Sequence, residues 1–461
     1  MSQSPKLRVA ICGGGIGGLA LAVALTRSPA KSKIHVDVYE AASTFEEIGA
    51  GIMMWERTWR ILELLGLGEE LGKVANTIPD GSPGIGFEFR RSDVPKGFHF
   101  HTHSVPYGCI RFHRAHFLDV FVRALPPGIA HFGKRLFSYT STPSSSPFSK
   151  EVQLHFSDGT TATCDLLVGA DGLKSIVRAQ MYTELADEQS AKTKDSHPDS
   201  GQYLKELIDP VWSGWVVYRS LIPLERLRNA AQAKGRDMGK IMTPMIWCGK
   251  SKHLVSYPIA QSTIFNFVGF VFYPEGEGAK SDGPWVTDVS GDEVRQHYVG
   301  WETEVQDILE HVDGASRWMM MHLKPLPNYS KGGVTLLGDA AHAMTPHAGA
   351  GAGQAIEDAY ILSHLLTHPH TTRKTLSAAL AAYDYVRIPF CNHVLRASRE
   401  NGKMYEFNSL YEEEYNELGD RLDAQWEWLW WRTPEEEAER AVKVMLGKIQ
   451  KDTSSIAHAK L

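Results

Sequence analysis

The hydrophobic pattern falls into alternating blocks. "KLRVAICGGGIGGLALAVALTR" reads as a buried strand, a tight turn and an Ala/Leu-rich helix. "IHVDVYE" (34–40) follows as a second strand, so the chain opens on a βαβ unit. "GAGIMMWERTWRILELLGLGEEL" carries apolar residues at helical spacing and predicts a mostly helical segment, whereas "GIGFEFRR" and "GFHFHTHS" alternate as strands do. "RFHRAHFLDVFVRAL" predicts a helix with Phe117, Val120 and Phe121 on a shared side. "STPSSSPFSK" reads as a surface loop, and a hairpin turn at Asp158-Gly159 leads into the buried strand "CDLLVGA". The polar stretch 185–202 reads as a mobile loop. Between Trp212 and Tyr273, "WVVYRS", "HLVSYPIA" and "TIFNFVGFVF" read as strands. "KGGVTLLGDAAH" returns to a buried strand and turn, with a helix from about Gly353, and the remainder is helical. There, "TPEEEAERAVKVML" has Thr433 at the N-cap, Pro434 at N1 and Glu436 three residues after the cap, a capping box.

Composition narrows the class. A chain of 461 residues is too long for one small core and suits two interlocked domains. The net charge is −6 with no extended Lys/Arg run, which argues against a nucleic-acid partner. No apolar stretch approaches the roughly 20 residues of a membrane helix. The opening "MSQSPKLRVAIC" lacks the apolar segment and cleavage site of a signal peptide, so a cytoplasmic protein is expected. The five cysteines are scattered, without C-x-x-C or metal-ligand spacing, so no metal site and no disulfide reductase chemistry is expected.

Gly13, Gly15 and Gly18 form G-x-G-x-x-G between a strand and a helix. The first glycine permits the tight turn, the second lets backbone approach a pyrophosphate, and the third lets helix and strand pack closely. Glu40 ends the next strand about 20 residues on, where a carboxylate can bind a ribose hydroxyl. With strand, helix and acid all in place, a bound dinucleotide is expected rather than a ligand-free glycine turn. The fingerprint alone does not choose NAD over FAD, and it occurs once. A second small-residue burst lies in "LLGDAAHAMTPHAGAGAGQAIEDA" (336–359), where glycines and alanines beside Asp339 precede a helix. Small side chains admit close backbone approach and a helix start offers unpaired N–H groups, a floor for something flat and anionic.

The order and wording of "RFHRAHF", "CDLLVGADGLKSIVR" and the 336–359 stretch resemble the group A flavoprotein monooxygenases, and are most like the salicylate hydroxylase-like aromatic hydroxylases, over roughly residues 7–400. The resemblance implies an α/β fold: a discontinuous Rossmann-type FAD-binding domain (1–75, 106–184 and 325–400), an inserted β-sheet substrate domain (76–105 and 203–324) and C-terminal helices (401–461). It implies bound FAD, transient NADH or NADPH, and a flavin C4a-hydroperoxide made with O2 that hydroxylates a phenolic ring, with decarboxylation where attack falls on the carboxylate-bearing carbon. Carried over by motif, Gly13, Gly15, Gly18 and Glu40 match the ADP end, and Arg114 the arginine opening the "HRAxL" helix. Asp171 and Gly172 match the "DG" motif, Gly338 and Asp339 the "GD" motif at the ribityl chain. Pro346 matches the proline beside flavin and substrate, and the amides from Gly349 through Gly351 to Gly353 the loop under the flavin pyrimidine. Departures are Ala348 where relatives often have Gln, Met54–Thr58 in place of "PN", and Trp215 where several relatives have a histidine.

Removing a phenol proton needs a base, for which His347 is the candidate, against a satisfied structural histidine. His342 reads as structural. Tyr218 and Arg219 point to opposite faces of a strand, so one faces the pocket: Tyr218 to bond a phenol or Arg219 to pair a carboxylate. Arg57 is a second carboxylate candidate against a solvated helix face. Tyr257, Asn266 and Trp247 could line the pocket, although core packing explains each. Trp55, Trp59 and Trp215 would shape a roomier pocket for a larger biosynthetic intermediate, hydroxylated or epoxidised, the alternative to a benzoate-type substrate. A flavin binder without turnover is a third reading, opposed by Pro346 and the "DG" motif. "QWEWLWWR" sets Trp426 and Trp430 on one helical side, for packing on the body or on a second subunit in a homodimer. The terminal Ala459-Lys460-Leu461 resembles the peroxisomal S-K-L address, the alternative to a cytoplasmic location.

Overall fold

The computed structural model describes residues 7–29, 33–45, 51–77, 79–143, 150–192, 201–237, 239–280 and 283–458. A six-stranded sheet runs in the order Ser330–Lys331, Val334–Leu336, Leu166–Gly169, Leu7–Cys12, Ile34–Tyr39 and Ala130–His131. Its inner pairs are parallel, with Val9 opposite both Leu166 and Val36, and Leu167 opposite Val334. Strands covered on both faces need continuous apolar runs, which "LRVAIC" and "LLVG" supply. The sheet therefore recruits strands from three distant parts of the chain.

Helix Ile16–Arg27 covers one face and packs on helix Gly351–Thr367. A Cβ at Gly17 would lie 2.6 Å from Leu337 and 3.1 Å from Ala355, so glycine sets that close approach. A three-stranded sheet (Leu136–Pro143, Lys150–Phe156, Thr161–Cys164) flanks the first.

An eight-stranded sheet joins Val286–Ser290, Gly314–His322, Val211–Pro223, Ile264–Phe272, Lys252–Ile259, Met245–Gly249, Pro83–Arg91 and Phe98–Pro106. One face packs on helices Leu224–Ala233, Gly291–His297 and Thr303–Leu309 through Leu254, Phe265 and Phe267. The other packs on helix Leu376–Tyr405 through Phe89, Ile246 and Cys248. Helix Leu376–Tyr405, 30 residues long, runs along both parts of the molecule. The last helix, Pro434–His458, returns to the main core through Ala438, Ala441 and Met445. Its start is a capping box: the Glu436 N–H donates to Thr433 Oγ1 at 3.2 Å, and the Thr433 N–H to Glu436 Oε2 at 2.8 Å. No described helix is long and apolar enough to cross a membrane.

Several local expectations are corrected. Gly51–Met54 and Ile110–His113 are strands that pair with each other into a two-stranded ribbon, not helix starts. Their partners lie some sixty residues apart, beyond the reach of a local periodicity. Leu185–Lys192 continues helix Ile176–Lys192, because Ala186 is buried on its inner face. Strand Leu136–Pro143 enters the Ser/Pro-rich stretch, whose centre lies outside the described residues. Helix Gly351–Thr367 starts two residues earlier than expected. Trp426 is fully buried while Trp430 is half-exposed, since Glu427–Trp430 is a 3₁₀ turn rather than an α-helix. The terminal Ala459-Lys460-Leu461 lies outside the described residues.

Candidate active site

The glycine-rich turn is built for a close approach. Gly13 sits at φ +113°, and a Cβ there would fall 2.1 Å from the Ala170 carbonyl oxygen. A Cβ at Gly18 would fall 2.0 Å from the Gly13 carbonyl oxygen. Gly15 faces open space, with nothing within 4 Å of its would-be Cβ, at the N-terminus of a helix that no side chain caps. Free amides at a helix start suit a phosphate. Glu40 accepts from the Gly14 N–H and the Ala42 N–H, both at 2.7 Å, so its carboxylate stands at the edge of this turn. These residues fit the pyrophosphate and ribose of a dinucleotide.

Asp171 takes a capping position. It accepts from Ser175 Oγ at 2.5 Å and from the N–H groups of Ile176 and Val177, at the start of helix Ile176–Lys192. Burial raises its pKa against those hydrogen bonds. Gly172 follows at φ +73°.

Gly338, at φ +62°, and the exposed Asp339 open the short helix Asp339–His342. Beneath them lies a buried ionic network. Asp358 Oδ2 accepts from the Gly338 N–H at 3.0 Å and pairs with His342 Nε2 at 2.6 Å. Arg387 Nε donates to Asp358 Oδ1 at 2.7 Å, and its Nη1 to Glu357 Oε1 at 2.6 Å. Burial works against the charged Asp358, but His342 and Arg387 outweigh it and hold its carboxyl at about 2. Burial likewise opposes a charged His342, yet Cys391 and Asp358 hold its pKa well above the ordinary value.

Arg57 belongs to this network. Its Nε and Nη2 donate to Glu357 at 2.8 and 2.7 Å, and it also reaches the Arg432 carbonyl. A guanidinium so occupied is not available to a substrate carboxylate, which corrects its candidacy.

The turn Pro346–Ala348 ends at Gly349 in the left-handed region, φ +57°. A Cβ at Gly349 would fall 2.4 Å from the Met53 sulfur, so the ribbon strand and this turn touch. The Trp55 indole N–H donates to the Ala348 carbonyl at 2.9 Å. Gly351 begins helix Gly351–Thr367, whose N-terminus also has no side-chain cap. His347 is buried among aromatic rings, with centroids at 4.7 Å (Trp215), 5.0 Å (Phe270) and 5.2 Å (His253). Among the described residues neither ring nitrogen has a protein partner. Burial pushes its pKa down to about 3, so the ring is neutral near pH 7.

Residues missed in the sequence complete this wall. His253 Nδ1 pairs with Glu406 Oε1 at 2.8 Å, and the same oxygen accepts from the Trp215 indole N–H at 2.9 Å. Burial raises the Glu406 carboxyl well above its ordinary pKa and lowers His253 well below its own. Trp215 thus hydrogen-bonds a carboxyl group.

Tyr218 and Arg219 do point to opposite faces. Tyr218 is the outward one, its hydroxyl engaged by Glu293 at 3.2 Å and His297 at 2.9 Å in the helix-covered core. That placement removes it from the group around His347. Arg219 shares the inner face with Trp215, Val217, Tyr257 and Asn266, as the registers Val217–Phe270, Arg219–Val268 and Tyr257–Asn266 require. Its guanidinium lies 5.2 Å from the Trp318 ring centroid and interacts electrostatically with Tyr257 and Arg114. Asn266 Oδ1 accepts the Gly51 N–H at 3.3 Å. Trp247 packs on the outer face with its N–H on Ser256, and Trp59 stacks on Phe112 in the core, so neither lines this space. The five cysteines are free and buried.

The chain thus carries a nucleotide cradle at one end and, at the other, a neutral histidine on the same side of the large sheet as Arg219. A family model described as "FAD binding domain" matches residues 6–198 and 245–398, and the chain belongs to that family. It is an FAD-dependent monooxygenase. It is 36% identical to a salicylate hydroxylase of Pseudomonas putida, over 92% of each chain. It is 33% identical to the 6-methylsalicylate 1-monooxygenase of Aspergillus terreus, over 99% of this chain and 96% of that one. A solved salicylate hydroxylase–substrate complex superposes with a TM-score of 0.79 at 31% identity, covering 95% of this chain and 98% of the other.

Proposed function

We propose that this chain hydroxylates a phenolic, benzoate-type aromatic acid with O2 and NADH or NADPH, losing CO2 when attack falls on the carboxylate-bearing carbon. The overall change is then aromatic acid, O2, NAD(P)H and protons to diphenol, CO2, water and NAD(P)+. The observation that carries this reading is His347: a neutral, buried imidazole with both nitrogens unpartnered, one residue from Pro346 and on the same side of the sheet as Arg219.

When bound, reduced FAD supplies the activation of oxygen. The cradle of Gly13, Gly15, Gly18 and Glu40 would hold its ADP part, with Arg114, Asp339 and the Gly349–Gly351 amides toward the ring. Asp171 with Gly172 would fix the turn against which that cradle rests. His347 removes the substrate's phenolic proton, raising electron density on the ring to be attacked. Burial leaves the ring neutral near pH 7, so one of its two nitrogens carries a lone pair that can accept the proton. Trp215, Phe270 and Pro346 exclude water around it, and the Tyr405 hydroxyl fixes the turn by donating to the His347 carbonyl at 2.7 Å. Arg219 pairs the substrate carboxylate.

The test is NAD(P)H oxidation by the flavin-loaded protein across a panel of phenolic acids, with products identified by mass. Stimulation by salicylate with release of CO2 is the expected result. A flavin-loaded protein stimulated by no phenolic acid would refute it.

A further inference from the structure

The ribbon and the eight-stranded sheet face each other across the space next to Gly349. In the ribbon, Gly51 stands opposite His113 and Met53 opposite Arg111, while Ile52 and Phe112 turn the other way into the core. Gly51, Met53 and Arg111 therefore share the face that meets the sheet. The contact is direct: a Cβ at Gly51 would lie 3.0 Å from the Tyr257 hydroxyl, and Arg111 Nη1 reaches the Pro258 carbonyl at 3.4 Å. Tyr257 is on the inner face with Arg219, and its phenol interacts electrostatically with both Arg219 and Arg111.

Among the described residues, this places two guanidiniums around one phenol with no acid to balance them. Arg111 is 7% exposed, and its Nε has no partner; the Nε of Arg219 is buried and unpartnered too. Among the described residues neither arginine has an ion pair. The neighbours acting most strongly on each are Tyr257, Cys109 and Arg114, none of them a carboxylate. Burial lowers the pKa of both guanidiniums, and no carboxylate among the described residues offsets it. Buried charge without a partner is costly, so this arrangement is completed by an anion that arrives from outside.

We propose that Arg111, with Tyr257 and Arg219, forms a carboxylate receptor that makes the site select aromatic acids over neutral phenols. The inference rests on the aromatic-hydroxylase reading above and adds Arg111 as a specificity-determining residue. A carboxylate offers two oxygens with about four lone-pair sites, enough for two guanidinium forks and one phenolic O–H. A carboxamide of the same shape keeps the ring and its hydroxyl but loses the charge.

The experiment titrates FAD-loaded protein with salicylate and, separately, salicylamide, following the flavin spectrum, for wild type, Arg111→Gln, Arg111→Lys and Tyr257→Phe. Arg111→Gln is expected to raise the Kd for salicylate about 10- to 100-fold, the range of a hydrogen bond to a charged group. The Kd for salicylamide should change by less than about 3-fold, Arg111→Lys should fall between, and Tyr257→Phe should weaken salicylate alone by a smaller factor. If Arg111→Gln does not fold, the Tyr257→Phe comparison decides.

Equal losses for both ligands, no loss for salicylate, or loss of FAD from Arg111→Gln at unchanged fold would overturn the receptor. Wild-type turnover of neutral phenols and aromatic acids with equal kcat/KM would overturn the receptor while leaving the hydroxylase reading intact. Salicylate-selective binding without any phenol-stimulated NAD(P)H oxidation would support the receptor and remove the hydroxylase reading instead.

Discussion

Asp358→Asn tests the network under the "GD" turn. In the wild type this carboxylate balances Arg387, 1% exposed, at 2.7 Å and His342, also 1% exposed, at 2.6 Å. The amide keeps the shape but removes the charge, leaving Glu357 to balance both Arg387 and Arg57. Breaking a buried pair by neutralising one partner costs about 3–5 kcal/mol. The upper half of that range is expected here, because Asp358 also accepts the Gly338 N–H at 3.0 Å. An Asn placed to accept there presents its NH2 toward the positive side of the network, where it cannot replace an acceptor. Since Gly338 precedes Asp339, a second consequence is weaker FAD retention. The assay is urea unfolding of the apoprotein for stability, with flavin absorbance after gel filtration for retention. A double-mutant cycle with His342→Gln should return a coupling of about 1–3 kcal/mol. An Asp358→Asn protein within about 0.5 kcal/mol of wild type, with full flavin, would refute the claim that this carboxylate is charged and anchors the turn.

Asp339→Ala should purify with little flavin, read from the visible spectrum, while its apoprotein unfolds like wild type because the side chain is exposed. His347→Gln should lower kcat by about 10²- to 10⁴-fold, the usual contribution of a positioned base, with flavin retained. The same variant should be less acid-sensitive. The folded pKa of His347 is depressed to about 3 from 6.5, so the unfolded state binds the extra proton between those values and stability falls as pH drops through that window. In urea melts from pH 6.5 to 3, wild type should lose about 1.4 kcal/mol more per pH unit than the variant at the steepest point. Tyr218→Phe should leave KM for a phenolic acid unchanged and cost about 1 kcal/mol of stability, since it loses one hydrogen-bonding group in the outer core. A raised KM would put it back in the site.

The parts of the site legible in sequence are those carried by short, ordered motifs. Gly13, Gly15, Gly18 and Glu40 sit between a strand, a helix and a second strand that hydropathy alone defines, and Thr433 and Glu436 form their capping box from three residues' spacing. The period-2 rule separated Tyr218 from Arg219 but could not say which was inward, because that depends on which sheet face the ribbon and the Pro346 turn meet. His253, Glu406 and Arg111 carried no local signal at all. Glu406 ends a helix about 150 residues after His253, and only the run of helix Leu376–Tyr405 across both parts of the molecule brings them together. Arg111 lay within a stretch whose apolar residues fit a helix, and its strand exists only because Gly51–Met54 pairs with it. Arg57 failed for the converse reason: its position on an amphipathic helix is visible, but its partner Glu357 is 300 residues away.

The last helix, Pro434–His458, sets the order of events at birth. Its Ala438, Ala441 and Met445 fill the same core as the first strand and the glycine-rich helix, and Glu435 reaches Arg60 across that seam at 2.8 Å. The nucleotide-binding residues of the first strand and turn therefore wait for segment 434–458 to leave the ribosome before their core is sealed. During that interval the apolar faces of helices Gly351–Thr367 and Leu376–Tyr405 that the last helix covers stand open to chaperones. Premature termination between helix Gly351–Thr367 and residue 434 would release a chain that has every cofactor-binding motif and no finished interior, a candidate for degradation rather than partial activity.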